Sequence, residues 1–472
     1  MSHPDQDFLL PSETAKVIFR EIENLPVYDI HTHVDLKMVL ENKPAADPWT
    51  ALCAGDHYVS SVIESLGAME RERFHDPATA PFEKWCAYAE VFPYLLGNHV
   101  RDWMRITLAQ LGIERPFRPD EARRIWDELC DILGRDRWRP TALFNNYSNL
   151  RLMSTTNHPT DSLEEHRHAE EVFAPRLKWI PTWRPDAFLN LRPSPMARKT
   201  WLDWVRELEK ATDSAVVGNW NGFLGAFSKR HDFFGDHGCR GSDYGVAIPH
   251  GHDVAEARAA GIFDKACRGQ EASDAEAADF QSFMLRFSIE LDFAKEWFAQ
   301  IHFGVARNQR RIALELGGLD SGCDTIDRCP GLVTALHDLL NHFDGAGRRH
   351  RRRLLLYSSA KADWERIGGL SRIFPSVYSG MSWWYFDSVS GMLEFLRTMP
   401  DIGAGFKKIG PFVTDARNIY SLWPRTQMYR RCLATVLGEL VDLRREPLDD
   451  VLALGRCLCT QQEPGDMGAE SR

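Results

Sequence analysis

The sequence predicts an α/β protein folded as a (β/α)8 barrel of the TIM type, with a helical insertion after its first strand. Three observations predict it. Eight short apolar or β-rich runs recur along the chain. Stretches with helical periodicity separate them, the pattern of a parallel sheet wrapped by helices. Residues suited to chemistry gather where the runs end, as they do at the C-terminal mouth of such a barrel.

The runs, in order, are "VYDIHTH" (27–33), "LRLMSTT" (150–156), "LKWIPTW" (177–183), "CRGSDYGVAI" (239–248), "FAQIHFG" (298–304), "LLLYSSA" (354–360), "SVYSGMSW" (376–383) and "FKKIGPFVTDA" (406–416). Helical spacing is plain in "SFMLRFSIELDFAKEW" before the fifth run and in "GMLEFLRTM" before the eighth. The first two runs lie far apart. The segment between them places Trp, Leu and charged residues at helical spacing, as in "FEKWCAYAEVFPYLL" and "DEARRIWDELCDILG", and reads as a helical cap. The expected organisation is an N-terminal segment with strand one (1–35), the cap (36–149), the rest of the barrel (150–455) and a disordered tail (456–472). No internal repeat is visible.

Composition narrows the class. A chain of 472 residues with 44% apolar side chains builds a large core. A net charge of −10 argues against a nucleic-acid surface, and the one basic cluster, "GRRHRRR" at 347–353, reads as a solvated loop feeding a strand. No basic N-terminal region leads into an apolar run, and nothing approaches the roughly 18 apolar residues of a membrane span. The expectation is a soluble, cytoplasmic protein without membrane or nucleic-acid partners, assembled from like subunits. Ten scattered cysteines without a CxxC pair read as reduced thiols.

Residues i and i+2 of a strand face the same way, so His31 and His33 present two imidazoles together. Alone, the pair would equally suit one core histidine and one loop histidine. The other strand ends decide: Arg184 follows the third run, Asp243 lies in the fourth, His302 in the fifth, Trp383 and Trp384 at the seventh, Asp415 and Arg417 at the eighth. His31, His33, His302 and Asp415 form an N/O donor set suited to one Zn²⁺ or similar divalent ion. A second HxH, His250 and His252 in "IPHGHD", reads as a loop and a capped helix start.

These strand ends resemble the amidohydrolase superfamily, and within it the uronate (glucuronate) isomerases. The resemblance runs through "YDIHTH", "GDHY" (55–58), "STTNHPTDSLEEH" (154–166), "PTWRPD" (181–186), "HGCRGSDYG" (237–245), "HFGVARN" (302–308), "GMSWWYFD" (380–387) and "FVTDARN" (412–418). It implies interconversion of aldose and ketose uronic acids, D-glucuronate with D-fructuronate and D-galacturonate with D-tagaturonate. Proton transfer between C2 and C1 passes through an enediol-like state whose negative charge a divalent ion would stabilise. The resemblance places Asp415, Tyr58, His57 and Arg417 in the catalytic group, with Tyr58 or a metal-activated group shuttling the proton and Asp415 also acting in ring opening. It places Arg184 and Trp383 against the substrate. Arg307, just past a strand end, joins Arg184 and Arg417 as a fixed charge for the substrate carboxylate.

Departures from the family pattern bear on the substrate. Tyr244 stands where a histidine follows "SD", "NQRR" replaces an asparagine run, "TDARNI" replaces "TDSRSF", and Thr426 in "RTQ" takes the place of a histidine. The family's C-terminal Asn-rich segment has no counterpart. Two other readings therefore stand beside the isomerase at this stage: a metal-dependent hydrolase acting on another acidic polyhydroxylated compound, and a barrel that binds without catalysing.

Overall fold

Among the described residues nine strands form: β1 (Val27–Asp29), β2 (Leu150–Asn157), β3 (Lys178–Trp183), β4 (Gly241–Gly245), β5 (Phe298–Phe303), β6 (Val305–Ala306), β7 (Thr325–Ile326), β8 (Arg353–Ser358) and β9 (Val377–Ser379). The structure is a computed structural model, and it describes residues 7–146, 149–193, 197–319, 322–328, 331–344, 353–381 and 383–460. Seven strands make one curled parallel sheet in the order β1-β2-β3-β4-β5-β8-β9, while β6 and β7 pair as a short antiparallel ribbon. Every residue of β5 is buried, and so is every residue of β8 after Arg353. This is expected of parallel strands covered on both faces. Register carries the end of each strand to one level: Gly245 pairs with His302, and His302 with Tyr357.

The eighth expected strand is a correction. Residues Phe406–Lys408 form a short 3-10 turn, and the segment after it makes one isolated bridge, Ile409 to Ser379. Pro411 cannot donate to a ladder, and Asp29 takes the Thr414 N–H at 3.2 Å with its side chain. The segment nevertheless bonds on both sides. Gly410 N–H donates to the Ser379 carbonyl at 2.7 Å, Asp415 N–H to the His31 carbonyl at 3.1 Å, and His33 N–H to the Ala416 carbonyl at 2.9 Å.

Between β1 and β2 the described chain is helical, with principal helices at His57–Ser65, Pro81–Val91, His99–Gln110 and Ala122–Leu133. Their starts are written locally. Asp56 and Asn98 cap two of them by accepting from the N–H groups of Tyr58 and Val100. Beyond the sheet, Trp201–Thr212 and Asp274–Ala294 open with capping boxes, Thr200 with Asp203 and Ser273 with Glu276. The helix Leu422–Arg444 is buried from Leu422 to Gly438, packed against helices Glu13–Ile22, Val389–Ile402 and Leu448–Thr460.

Three local expectations differ from the structure. The helix after "IPHGHD" starts at Glu256, capped by Ala255 without a side-chain bond. His252 pairs through Nε2 with Asp279 at 3.0 Å, so this loop is tied sideways to the helix Asp274–Ala294 rather than serving as a cap. The last helix reaches Thr460, past the expected start of a tail at 456, because Val451, Gly455, Leu458 and Cys459 bury one face. Residues 461–472 lie outside the described residues, as does the basic cluster apart from Arg353, the first residue of β8. Among the described residues no helix is long and apolar enough to cross a membrane.

Candidate metal centre and active site

Strand β1 ends at Asp29, so His31 and His33 lie just past it, in chain kept extended by bonds to its neighbours. Thr32 N–H donates to the Ser154 carbonyl at 3.0 Å, and His33 N–H to Ala416. The alternation expected of a strand therefore survives beyond its formal end. His31 Nε2 lies 3.2 Å and His33 Nε2 3.1 Å from the same oxygen, Asp415 Oδ1. Bonds of about 2.0–2.1 Å to one tetrahedral ion set its ligand atoms about 3.3 Å apart. The three donors thus fit a divalent ion.

Asp415 reaches this position from a left-handed backbone, φ +49°, a conformation unfavourable for a residue with a Cβ. Its N–H bond to His31 and a 3.0 Å bond from Trp383 Nε1 to its Oδ2 hold it there. Burial works against its charge, but hydrogen bonds and charge from His31 and His33 keep its pKa well below the usual carboxylate range. Burial pushes the His33 imidazole down to about 4. Both groups are therefore in their ligating forms at neutral pH.

A second trio shares His31. Asp243, fully buried in the middle of β4, accepts from His302 Nδ1 at 2.7 Å and pairs with Arg184 Nη1 at 2.9 Å, with His31 Nδ1 at 3.8 Å. His31, Asp243 and His302 also lie close enough to hold a cation. Burial opposes the Asp243 charge, but Arg184, His31 and His302 hold its pKa far below normal. His302 is turned by its bond to Asp243, stacked on Tyr357 with ring centres 4.4 Å apart, and its buried Nε2 makes no hydrogen bond among the described residues. Arg184 is clamped on its other side by Asp186, Nε to Oδ2 at 2.9 Å. Gly245 allows that clamp: a Cβ there would lie 2.8 Å from Arg184 Nη2 and 2.9 Å from Asp186 Oδ2.

A sequence-family model described as glucuronate isomerase matches residues 1–459. The chain belongs to the glucuronate isomerase family. A uronate isomerase of Thermotoga neapolitana is 32% identical over 457 residues, covering 96% of this chain and 97% of that protein. One from Bacteroides thetaiotaomicron is 29% identical, covering 95% and 94%. The crystal structure of uronate isomerase from Thermotoga maritima superposes with a TM-score of 0.91 at 30% identity, covering 98% of this chain and 99% of that one. Glucuronate isomerase from Caulobacter crescentus gives 0.90 at 25%, covering 99% and 97%. Like its family, the protein is an isomerase.

The remaining residues that the sequence pointed to in this glucuronate isomerase family member lie at graded distances from the two trios. Trp383 touches both, through its bond to Asp415 and a ring contact with His302 at 4.7 Å. His57 and Tyr58 enter from the insertion. Their rings lie 4.4 Å apart, and His57 meets Trp384 at 5.7 Å, itself 5.2 Å from Trp383. Burial, with the Asp415 charge, holds the Tyr58 phenol well above its usual pKa, so it is a proton donor at rest. Arg307 lies over the Trp384 ring at 4.7 Å and pairs with Asp324 at 2.8 Å. Arg417 stands apart: it is exposed and lines a cavity of about 310 Å³ with Met38, Glu41, Thr50 and Tyr420, whose wall includes none of the trio residues. A second cavity, about 430 Å³, opens beside His33 and is lined by Thr155, Asn157, Asp161 and His166 among others.

Sequence reasoning named Asp243 only as a strand end and left it out of the donor set. Its signal was its place in the strand next to the one that carries His302, two residues before Gly245, which pairs with His302. Tyr244, in the place of a family histidine, points away from the centre. Its hydroxyl donates to Asp292 Oδ2 at 2.7 Å and also lies 2.8 Å from Ser288 Oγ. Asp292 is fully buried and is met as well by Ser242 Oγ and His231 Nε2. Thr426, the other substituted position, bonds back to the Leu422 carbonyl of its own helix.

Proposed function

We propose that the chain interconverts D-glucuronate with D-fructuronate and D-galacturonate with D-tagaturonate, with one divalent ion, Zn²⁺, held by His31, His33 and Asp415. The observation that carries this reading is the convergence of both imidazoles on one carboxylate oxygen at 3.1–3.2 Å, beside a second buried acid, Asp243, that is already charge-matched. A closed (β/α)8 barrel belongs to the reading. Residues 409–416 stand in for the eighth stave, since they bond to β9 on one side and to the His31 segment on the other.

The reaction removes a proton from C2, returns one to C1 and moves a hydroxyl proton from O2 to O1. The ion, when bound, supplies positive charge for the oxygens on which negative charge builds. Tyr58, with His57 beside it, supplies and takes back a proton from the insertion side. Asp415, ionised, accepts a hydroxyl proton during ring opening. His302, read from the sequence as a fourth metal ligand, groups with His31 and Asp243 rather than with His33 and Asp415; in this reading it offers its Nε2 to a substrate oxygen, oriented by Asp243 at its Nδ1. Trp383 walls the sugar. Arg184, two of whose nitrogens already meet Asp186 and Asp243, holds the floor of the site and has only the rest of its fork for a substrate group. Arg307, over the Trp384 ring, is the other cation for the C6 carboxylate; Arg417, which the sequence pointed to as catalytic, faces a separate cavity and takes no part in this reading. The nine cysteines among the described residues are all unpaired, which suits the cytoplasmic location that the reading includes, alongside assembly of like subunits.

The test is incubation of the zinc-loaded protein with D-glucuronate and D-galacturonate in D₂O. Ketose product carrying solvent deuterium at C1 is expected. Absence of turnover with either sugar acid, or release of a hydrolysis product from another acidic sugar, would overturn the proposal.

A further inference from the structure

Arg425 lies on the helix Leu422–Arg444 and is 4% exposed. Its Nη1 donates to Asp387 Oδ2 at 2.7 Å and to the Thr414 carbonyl at 3.1 Å, Nη2 lies 3.9 Å from Asp56 Oδ2, and its guanidinium covers the Trp103 ring at 3.7 Å. Asp56, Asp387 and Thr414 each belong to a segment that carries a site residue, and Trp103 packs against one.

Asp56 caps the helix that begins with His57 and Tyr58, accepting from the Tyr58 N–H at 3.0 Å. Trp103 packs against the Tyr58 ring at 5.8 Å. Asp387 closes the turn Trp384–Phe386, donating its own N–H to the Trp384 carbonyl at 2.9 Å. Thr414 immediately precedes Asp415. Two of these segments contain a residue with left-handed backbone, Trp384 at φ +59° and Asp415 at φ +49°. Such conformations persist in residues with a Cβ only where the surroundings hold them. We propose that Arg425 is a positioning residue that sets the His57–Tyr58 turn, the Trp383–Trp384 turn and the Asp415 segment in register with one another.

The chemistry favours arginine for this task. A buried cation must be paired, and here two carboxylates from different segments and one backbone carbonyl share a single guanidinium. Its planar fork presents donors in several fixed directions at once, whereas a lysine would offer one point charge on a flexible stem. Arg425 touches none of the proposed metal ligands and no proposed proton carrier directly. It acts through Asp56, Asp387 and Thr414.

This inference rests on the isomerase reading for its kinetic arm alone. Arg425→Met and Arg425→Lys would be compared with the wild type in the zinc-loaded full chain for kcat and KM on D-glucuronate, for metal content and for peptide-level hydrogen exchange. Arg425→Met is expected to lower kcat about 10²-fold, leave KM within about threefold and leave the metal content unchanged. Arg425→Lys, keeping the charge, should recover about tenfold of that loss. Exchange should quicken across 56–65 and 383–388 while 298–303 stays as in the wild type. Should Arg425→Met fail to fold, Asp56→Asn keeps the helix cap and removes the charge, and it should quicken exchange across 56–65 with a smaller drop in kcat. A kcat within threefold of wild type together with native exchange in both segments would overturn the proposal. A wild type without turnover would sink the isomerase reading, and the exchange pattern would still decide the role of Arg425.

Discussion

Replacing Asp243 with Asn removes one buried charge and one acceptor oxygen and keeps the shape. The wild-type carboxylate takes a 2.7 Å bond from His302 and a 2.9 Å pair from Arg184, and an amide can accept only one of the two. The other donor is left facing an NH₂ group. Breaking one side of a buried ion pair costs about 3–5 kcal/mol, and the remaining Asp186 contact to Arg184 places the loss at the lower end, about 3 kcal/mol. An unfolding entropy of about 2.1 cal/mol/K per residue over 472 residues comes to about 1 kcal/mol/K. The metal-free variant should therefore melt about 3 °C below the wild type in scanning calorimetry at pH 7. The folded Asp243 pKa is depressed, so its stabilisation is present above the unfolded aspartate value of about 3.9 and is lost only as pH falls below it. The gap should hold from pH 8 to about 5. Because Asp243 is outside the trio of His31, His33 and Asp415, the variant should still bind one zinc. A gap under about 1 °C, or one that closes between pH 7 and 5, would refute the charge-matching; loss of the zinc would move the ion to the second trio.

Other expectations follow from the same geometry. His33→Ala should fold and lose its metal, measured by elemental analysis; an unchanged metal content would remove His33 from the ligand set. Arg184→Met strands the buried Asp243 and the half-buried Asp186 and should lower kcat/KM on the order of 10²-fold, an effect of roughly 3 kcal/mol. An unchanged value would make Arg184 a rim residue. Tyr244→Phe removes a hydroxyl placed between Asp292 and Ser288 and should cost about 1–3 kcal/mol of stability while leaving kcat within about twofold, since the ring faces away from the centre. A large loss of activity with native stability would contradict that orientation.

Much of the candidate site could be read before folding. His31 and His33 were readable because alternation along an extended chain is a local property, and it holds even though β1 stops at Asp29. Asp415, His302 and Trp383 were readable because a parallel α/β sheet brings the ends of its strands to one level. The helical insertion showed in its own periodicity and caps. None of this needs knowledge of which strand lies beside which.

What the tertiary structure decided depends on neighbours across the sheet. Asp243 became the partner of both His302 and Arg184 because β4 runs between β3 and β5, and no spacing along the chain encodes that adjacency. The same applies to Arg425, whose charge is shared by residues from the insertion, the β9 loop and the last stave. The eighth segment reads as a strand by its apolar pattern, yet Pro411 and the Asp29 side chain break its ladder. Arg417 follows that segment in sequence but faces another cavity, since the left-handed turn at Asp415 redirects the chain. Residue patterns report local conformation and which side chains reach the mouth of the fold; burial and pairing between distant segments determine their charge states and partners, because only packing removes the competing water.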